Sequence, residues 1–94
     1  MPFPKDATRL FTEEFVKQLE QGQKGCYGLR KGSTWVYVGK GDIRQRLLDH
    51  LGKDNACIVK QAPNNFVFVV TDEMDQMEKE LIIEYNPICN ERVG

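Results

Sequence analysis

No apolar run in this chain approaches the roughly 20 residues that span a bilayer, and no basic region leads into an apolar stretch at the N-terminus. A membrane protein is therefore not expected, and the location read from this is cytoplasmic. CxxC spacing is missing. Cys26, Cys57 and Cys89 are odd in number and far apart, which suits reduced core thiols better than a disulfide frame and gives no support to a zinc site with His50. Repeats, low-complexity segments and a glycine-rich nucleotide-binding motif are also lacking, which removes a solenoid and leaves a small metabolic enzyme little ground. Basic excess is absent: 13 Lys and Arg stand against 14 Asp and Glu, for a net charge of −1. Tight, nonspecific DNA binding by the chain alone is not expected on that balance.

What is present fits one domain spanning residues 1–94, large enough for one modest core. Charge is uneven along it. Arg30, Lys31, Lys40, Arg44, Arg46, Lys53 and Lys60 cluster in the middle, and residues 72–84 are strongly acidic.

Pro2 and Pro4 suggest a loose lead-in. Thr12 caps an expected helix over about residues 12–21, with Phe11, Phe15, Val16 and Leu19 on one stripe and Gly22 as its stop. Residues 25–30 and 34–38 form a hairpin about Lys31-Gly32-Ser33. With the turn centred on Gly32, Tyr27 faces Tyr37 across the ladder, both rings on one face. Asp42 caps a helix over residues 43–51, whose buried side is Ile43, Leu47, Leu48 and Leu51 and on which Arg46 and His50 share a ridge. A short helix over residues 55–61 and a buried strand over residues 66–71 follow, and then a helix capped by Asp72 that runs to Tyr85. The order predicts an α/β fold: a small sandwich around a three-stranded, mainly antiparallel sheet flanked by helices.

Several residues have ordinary explanations one at a time. Tyr27 and Tyr37 can be a surface aromatic pair, Arg46 and His50 a solvated helix face, Lys40 a loop lysine and Asn90 a turn residue. Glu78 falls inside the apolar stripe of Met74, Met77, Leu81, Ile82 and Tyr85, where a carboxylate needs a lysine, a proton or a cation beside it.

Taken in order, these residues match one pattern. Gly25-Cys26-Tyr27 and Tyr37-Val38-Gly39 are followed by Arg46, by His50 one turn later, by Glu78 in Glu78-Lys79-Glu80-Leu81-Ile82-Ile83, and by Asn90 after Asn86-Pro87. Over residues 25–90 the chain resembles the GIY-YIG endonuclease family, and Lys40 matches a lysine of its excision-repair members. Two departures stand out. Cys26 replaces the usual isoleucine, and the loop from Tyr37 to Arg46 is one residue shorter, which makes Arg44 a rival for the arginine's role.

The resemblance implies metal-dependent hydrolysis of phosphodiester bonds in nucleic acid, DNA in preference to RNA. Glu78 would hold one divalent ion, Mg²⁺ or Mn²⁺, and Arg46 would offset phosphoryl charge. Tyr27 is the first choice to activate water and His50 the alternative base, with Tyr37 positioning the reacting groups; Lys40, Arg44 and Asn90 would bind substrate. Homing, restriction and repair members carry further DNA-binding regions, which the 94 residues do not contain. A targeting partner protein or a homodimer is therefore expected, and the alternative function is a weak or inactive module of the same fold that binds nucleic acid or protein.

Overall fold

The centre of the molecule is an antiparallel hairpin of β2 (Lys24–Lys31), buried throughout its middle, and β3 (Thr34–Asp42). The computed structural model describes Phe3 and residues 8–90; Pro2 and Pro4 lie outside the described residues. β4 (Asn65–Val70) pairs antiparallel with the other side of β2, and the short β1 (Arg9–Leu10) pairs with the start of β4. The sheet order is β1-β4-β2-β3. The sheet thus has four strands and not the three expected. Arg9-Leu10 is too short and too exposed to carry an alternation signal, and only its ladder to Phe66 and Asn65 makes it a strand.

Hairpin register also differs from expectation. The loop is two residues, Gly32-Ser33, so Lys31 pairs with Thr34, and Gly32 supplies the left-handed φ of +60°. A bulge then inserts Val36 between the partners of Leu29 and Arg30. Tyr27 consequently pairs with Gly39, and Tyr37 with Leu29. A slip of two residues keeps both tyrosines on one face, so they meet as diagonal neighbours with ring centroids 6.2 Å apart.

Helices cover both faces. On the tyrosine side lie α1 (Glu13–Lys17), α2 (Ile43–Leu51) and α3 (Ala56–Gln61), closing a core of Val16, Leu29, Val36, Ile43, Leu47, Ile58 and Phe66. On the other side α4 (Met74–Tyr85) presses Met77 and Leu81 onto Cys26, Val38 and Val67. Phe3 joins this second core, stacked with Trp35 and Tyr85.

Local chemistry explains most boundaries. Thr12, Asp42 and Asn55 each accept an N–H of the helix they cap. α1 is shorter than expected: the amides of Gln18 and Leu19 turn to carbonyls three residues back, which tightens the chain and buries Leu19. Asp72 is not the cap of α4. Glu73 precedes the helix without a side-chain cap, and its amide donates to Thr71 Oγ1 at 3.1 Å.

The cysteines overturn the expectation of three reduced thiols. Cys57 and Cys89 form a disulfide with a Cα separation of 5.6 Å, and only Cys26 is free. Their spacing of 32 residues carries no disulfide signal; the packing of α3 beside the C-terminal segment creates the pair. No helix among the described residues is long and apolar enough to cross a membrane.

Candidate functional site

Three rings gather where β2, β3 and α2 meet. Tyr27 is fully buried, and its Oη shares a 2.7 Å hydrogen bond with His50 Nε2. The ring centroids of Tyr37 and His50 are 5.2 Å apart, edge to face. Gly39 makes the cluster possible, because Tyr27 lies over its Cα and leaves no room for a Cβ.

His50 belongs to the core, which rules out for it the ordinary reading of a solvated helix face. Only 4% exposed, it joins Ile43 and Leu47 as the fully buried residues of α2, with Leu48 and Leu51 partly buried against the same core. Arg46, on the same ridge, keeps its side chain 41% exposed and contacts Asp49 Oδ2 at 3.2 Å. His50 Nδ1 lies 2.9 Å from Asp54 Oδ1.

Burial raises both phenols. Tyr27 is pushed far above the ordinary phenol range, first by desolvation and then by Tyr37, while the nearby Arg46 guanidinium opposes the rise. Tyr37 is raised by burial and next by the charge of Glu78, again against Arg46. Arg46 in turn is held more firmly protonated, chiefly by Tyr27. A bare phenolate is therefore disfavoured at either ring, and the Arg46 guanidinium offsets only part of that.

Glu78 reaches this region from the opposite layer. Cys26 and Lys40 are cross-strand partners on the α4 side of the sheet. Lys40 Nζ lies 3.7 Å from Glu78 Oε1 and 2.6 Å from Asp75 Oδ1. The Glu78 side chain is 21% exposed, so it is neither fully in the core nor on the solvated face. Cys26 sits beneath it and donates its S–H to the Met74 carbonyl at 3.3 Å; burial, followed by the charge of Glu78, pushes the thiol up to about 11.

Two expected substrate binders stand apart from the rings. Asn90 serves the backbone: its amide donates to Val38 O and its oxygen accepts from Val38 N, both at 2.8 Å. With the amides of Ile88 and Cys89 donating to Trp35 and Val36, it seals the outer edge of β3. Arg44 lines a separate polar groove with Gln21, Asp42 and Gln45.

Asp54 is the residue that motif reasoning missed. Its spacing of four from His50 was the available signal, but the two residues are separated by the end of a helix, where helical spacing no longer predicts contact. No protein-family model, no curated protein and no solved structure matches this chain.

Proposed function

We propose that this chain is a divalent-metal-dependent nuclease of the GIY-YIG type, acting on DNA in preference to RNA. The observation that supports it most is the grouping of Tyr27, Tyr37, Arg46 and His50 in one cluster, with the charge of Glu78 reaching Tyr37. A packing role alone gives no reason for a part-buried carboxylate, an arginine and two phenols to converge.

The donor set fits a water-rich ion. Mg²⁺ takes one or two carboxylates and fills its remaining positions with water and phosphate oxygens. Glu78 offers one part-buried carboxylate, and the Lys40 ammonium already lies 3.7 Å from it, so the position favours a cation. Glu78 would be the protein ligand for Mg²⁺ or Mn²⁺; among the described residues no group of three or more His, Cys, Asp and Glu gathers around it. When bound, such an ion would polarise the scissile phosphate and stabilise the leaving oxygen.

The chain's own residues supply the rest. Arg46, half-exposed beside the phenols, would neutralise charge growing on the phosphoryl oxygens. Tyr27 would orient and deprotonate water, with His50 as its hydrogen-bond partner at 2.7 Å. Tyr37, at the rim of the cluster, would hold the phosphate in place.

A second reading has its own observation. Lys40 is engaged by Asp75 and Glu78, and the side chain of Asn90 is committed to Val38, so two expected contacts to substrate are already occupied. That favours a weak or inactive module that binds nucleic acid or a protein partner. Incubation of plain, nicked and branched DNA and RNA with Mg²⁺ or Mn²⁺, beside Glu78→Ala, separates the two. Product formed by the wild type and not by the variant supports the nuclease; binding without cutting under every condition supports the module.

A further inference from the structure

Asp54 lies outside the family pattern, yet it holds the far side of the buried imidazole of His50. His50 is the chain's single histidine, and its two nitrogens have different partners: Asp54 at Nδ1, 2.9 Å away, and Tyr27 at Nε2, 2.7 Å away. An ionised carboxylate has no proton to donate, so the Nδ1 contact is a hydrogen bond only when Nδ1 carries the proton. The neutral ring then presents a lone pair at Nε2, and Tyr27 must be the donor. Without Asp54 the ring is free to protonate at Nε2 and donate to the phenol oxygen, the reverse direction.

The backbone is shaped to bring Asp54 there. α2 ends at Leu51, and Lys53 takes a left-handed φ of 65°, a conformation that a side chain with a Cβ rarely adopts. Its amide donates to the His50 carbonyl at 3.1 Å, which returns the chain toward the ring. Asn55, the next residue, is fixed as the cap of α3.

We propose that Asp54 is the positioning residue that fixes His50 as proton acceptor for Tyr27. The step this serves rests on the nuclease reading. A water O–H bond breaks and its proton passes to Tyr27 Oη, as the phenolic proton passes to His50 Nε2. The water oxygen's electron pair forms the new P–O bond; the 3′ oxygen leaves with the pair of the broken bond and takes a proton from solvent. The imidazolium, paired with Asp54, then returns its proton to solvent. Charged and titratable groups facing His50 are Tyr27 from β2, Tyr37 from β3, Arg46 from its own helix, and Lys53 and Asp54 from the turn that follows.

Because there is one histidine, ¹⁵N-labelled protein gives one imidazole to follow by NMR. The wild-type neutral ring is expected to carry its proton on Nδ1, and Asp54→Ala to move the larger share to Nε2. Asp54 is part-exposed, so the variant should fold, and Asp54→Asn, which keeps an acceptor oxygen, should hold the wild-type tautomer. In cleavage assays Asp54→Ala should lower kcat by roughly 10²-fold with KM unchanged, and Asp54→Glu should restore part of it. An Nε2–H ring in the wild type, or an unaltered tautomer in Asp54→Ala, would overturn the proposal. If the wild type cuts no nucleic acid but the tautomer shifts as stated, the nuclease reading falls and the control of His50 by Asp54 stands. If the wild type cuts and Asp54→Ala cuts equally well, the assignment of Asp54 falls and the nuclease reading stands.

Discussion

The ring of Tyr27 lies across the backbone of its cross-strand partner Gly39, so closely that a Cβ there would stand 2.5 Å from Tyr27 Cζ and 2.8 Å from Tyr37 Cε2. The glycine of the second motif is thus a seat for the tyrosine of the first. Gly25 has a different reason: a Cβ at that position would collide with the Val69 carbonyl across the β2–β4 ladder.

Gly39→Ala is therefore expected to displace both phenols. The overpacking should cost about 1–3 kcal/mol, read from denaturant melts, and it should weaken cleavage further than the lost stability accounts for. A variant as stable as the wild type would show that the ring has room to move.

Tyr27→Phe removes the Oη–His50 bond and leaves a buried ring nitrogen without its partner. The expected cost is about 1–3 kcal/mol at neutral pH. Linkage gives a second readout. The folded phenol is raised above its unfolded value near 10, so its contribution to stability is complete below that value and declines as pH rises beyond it. Wild-type stability should fall across that alkaline range, and Tyr27→Phe should fall less steeply. Parallel slopes would contradict the burial of the phenol as the cause.

Much of this is legible in the sequence. Thr12, Asp42 and Asn55 stand where short polar residues start helices, and Gly32 marks the hairpin turn. Tyr27 and Tyr37 share a face because an even slip in register leaves side-chain direction unchanged. The remainder depends on tertiary packing. Val36 becomes a bulge only when β3 must follow β2 into the sheet, and Cys57 meets Cys89 only after α3 has docked. Helical periodicity leaves His50 off the buried side of α2 because it treats a histidine as polar. A partner at each nitrogen, the buried Tyr27 and the part-exposed Asp54, is what allows it inside.

Glu78→Gln is expected to abolish metal-dependent cleavage while changing stability by less than about 0.5 kcal/mol. The pair it forms with Lys40 is long at 3.7 Å, and Lys40 keeps its closer contact with Asp75. A neutral amide would still fill the same space but would bind Mg²⁺ poorly. Melting and cleavage belong on the same preparation. Full activity would remove Glu78 as the ligand.

Cys57–Cys89 ties α3 to the segment whose backbone and Asn90 side chain seal the edge of β3. For a separation of 32 residues, loop closure predicts a loss of about 3–4 kcal/mol when the bond is removed. Cys57→Ser with Cys89→Ser should show that loss in urea melts. Amide exchange at Val38 should rise in the same variant, since its N–H is held by Asn90 at 2.8 Å. Unchanged protection at Val38 would mean that Asn90 holds its place without the disulfide.

Binding of the isolated chain to nucleic acid should be weak and strongly salt-dependent. The net charge is −1, and Lys40 is partly neutralised by Asp75 and Glu78. Arg44, Arg46 and Lys53 remain as candidates for phosphate contact, though Arg46 is shared with Asp49. Three contacts correspond to a log–log salt slope of about −3 on duplex DNA and to affinities in the micromolar range or weaker. Arg46→Ala should reduce the slope by about one unit, and Arg44→Ala should do the same only if the groove with Gln21 and Gln45 also meets the backbone. Fluorescence-anisotropy titrations from low to physiological salt measure all three slopes. Nanomolar affinity with a flat slope would mean that base contacts or an added partner dominate recognition, and weight would move from the nuclease to the binding module.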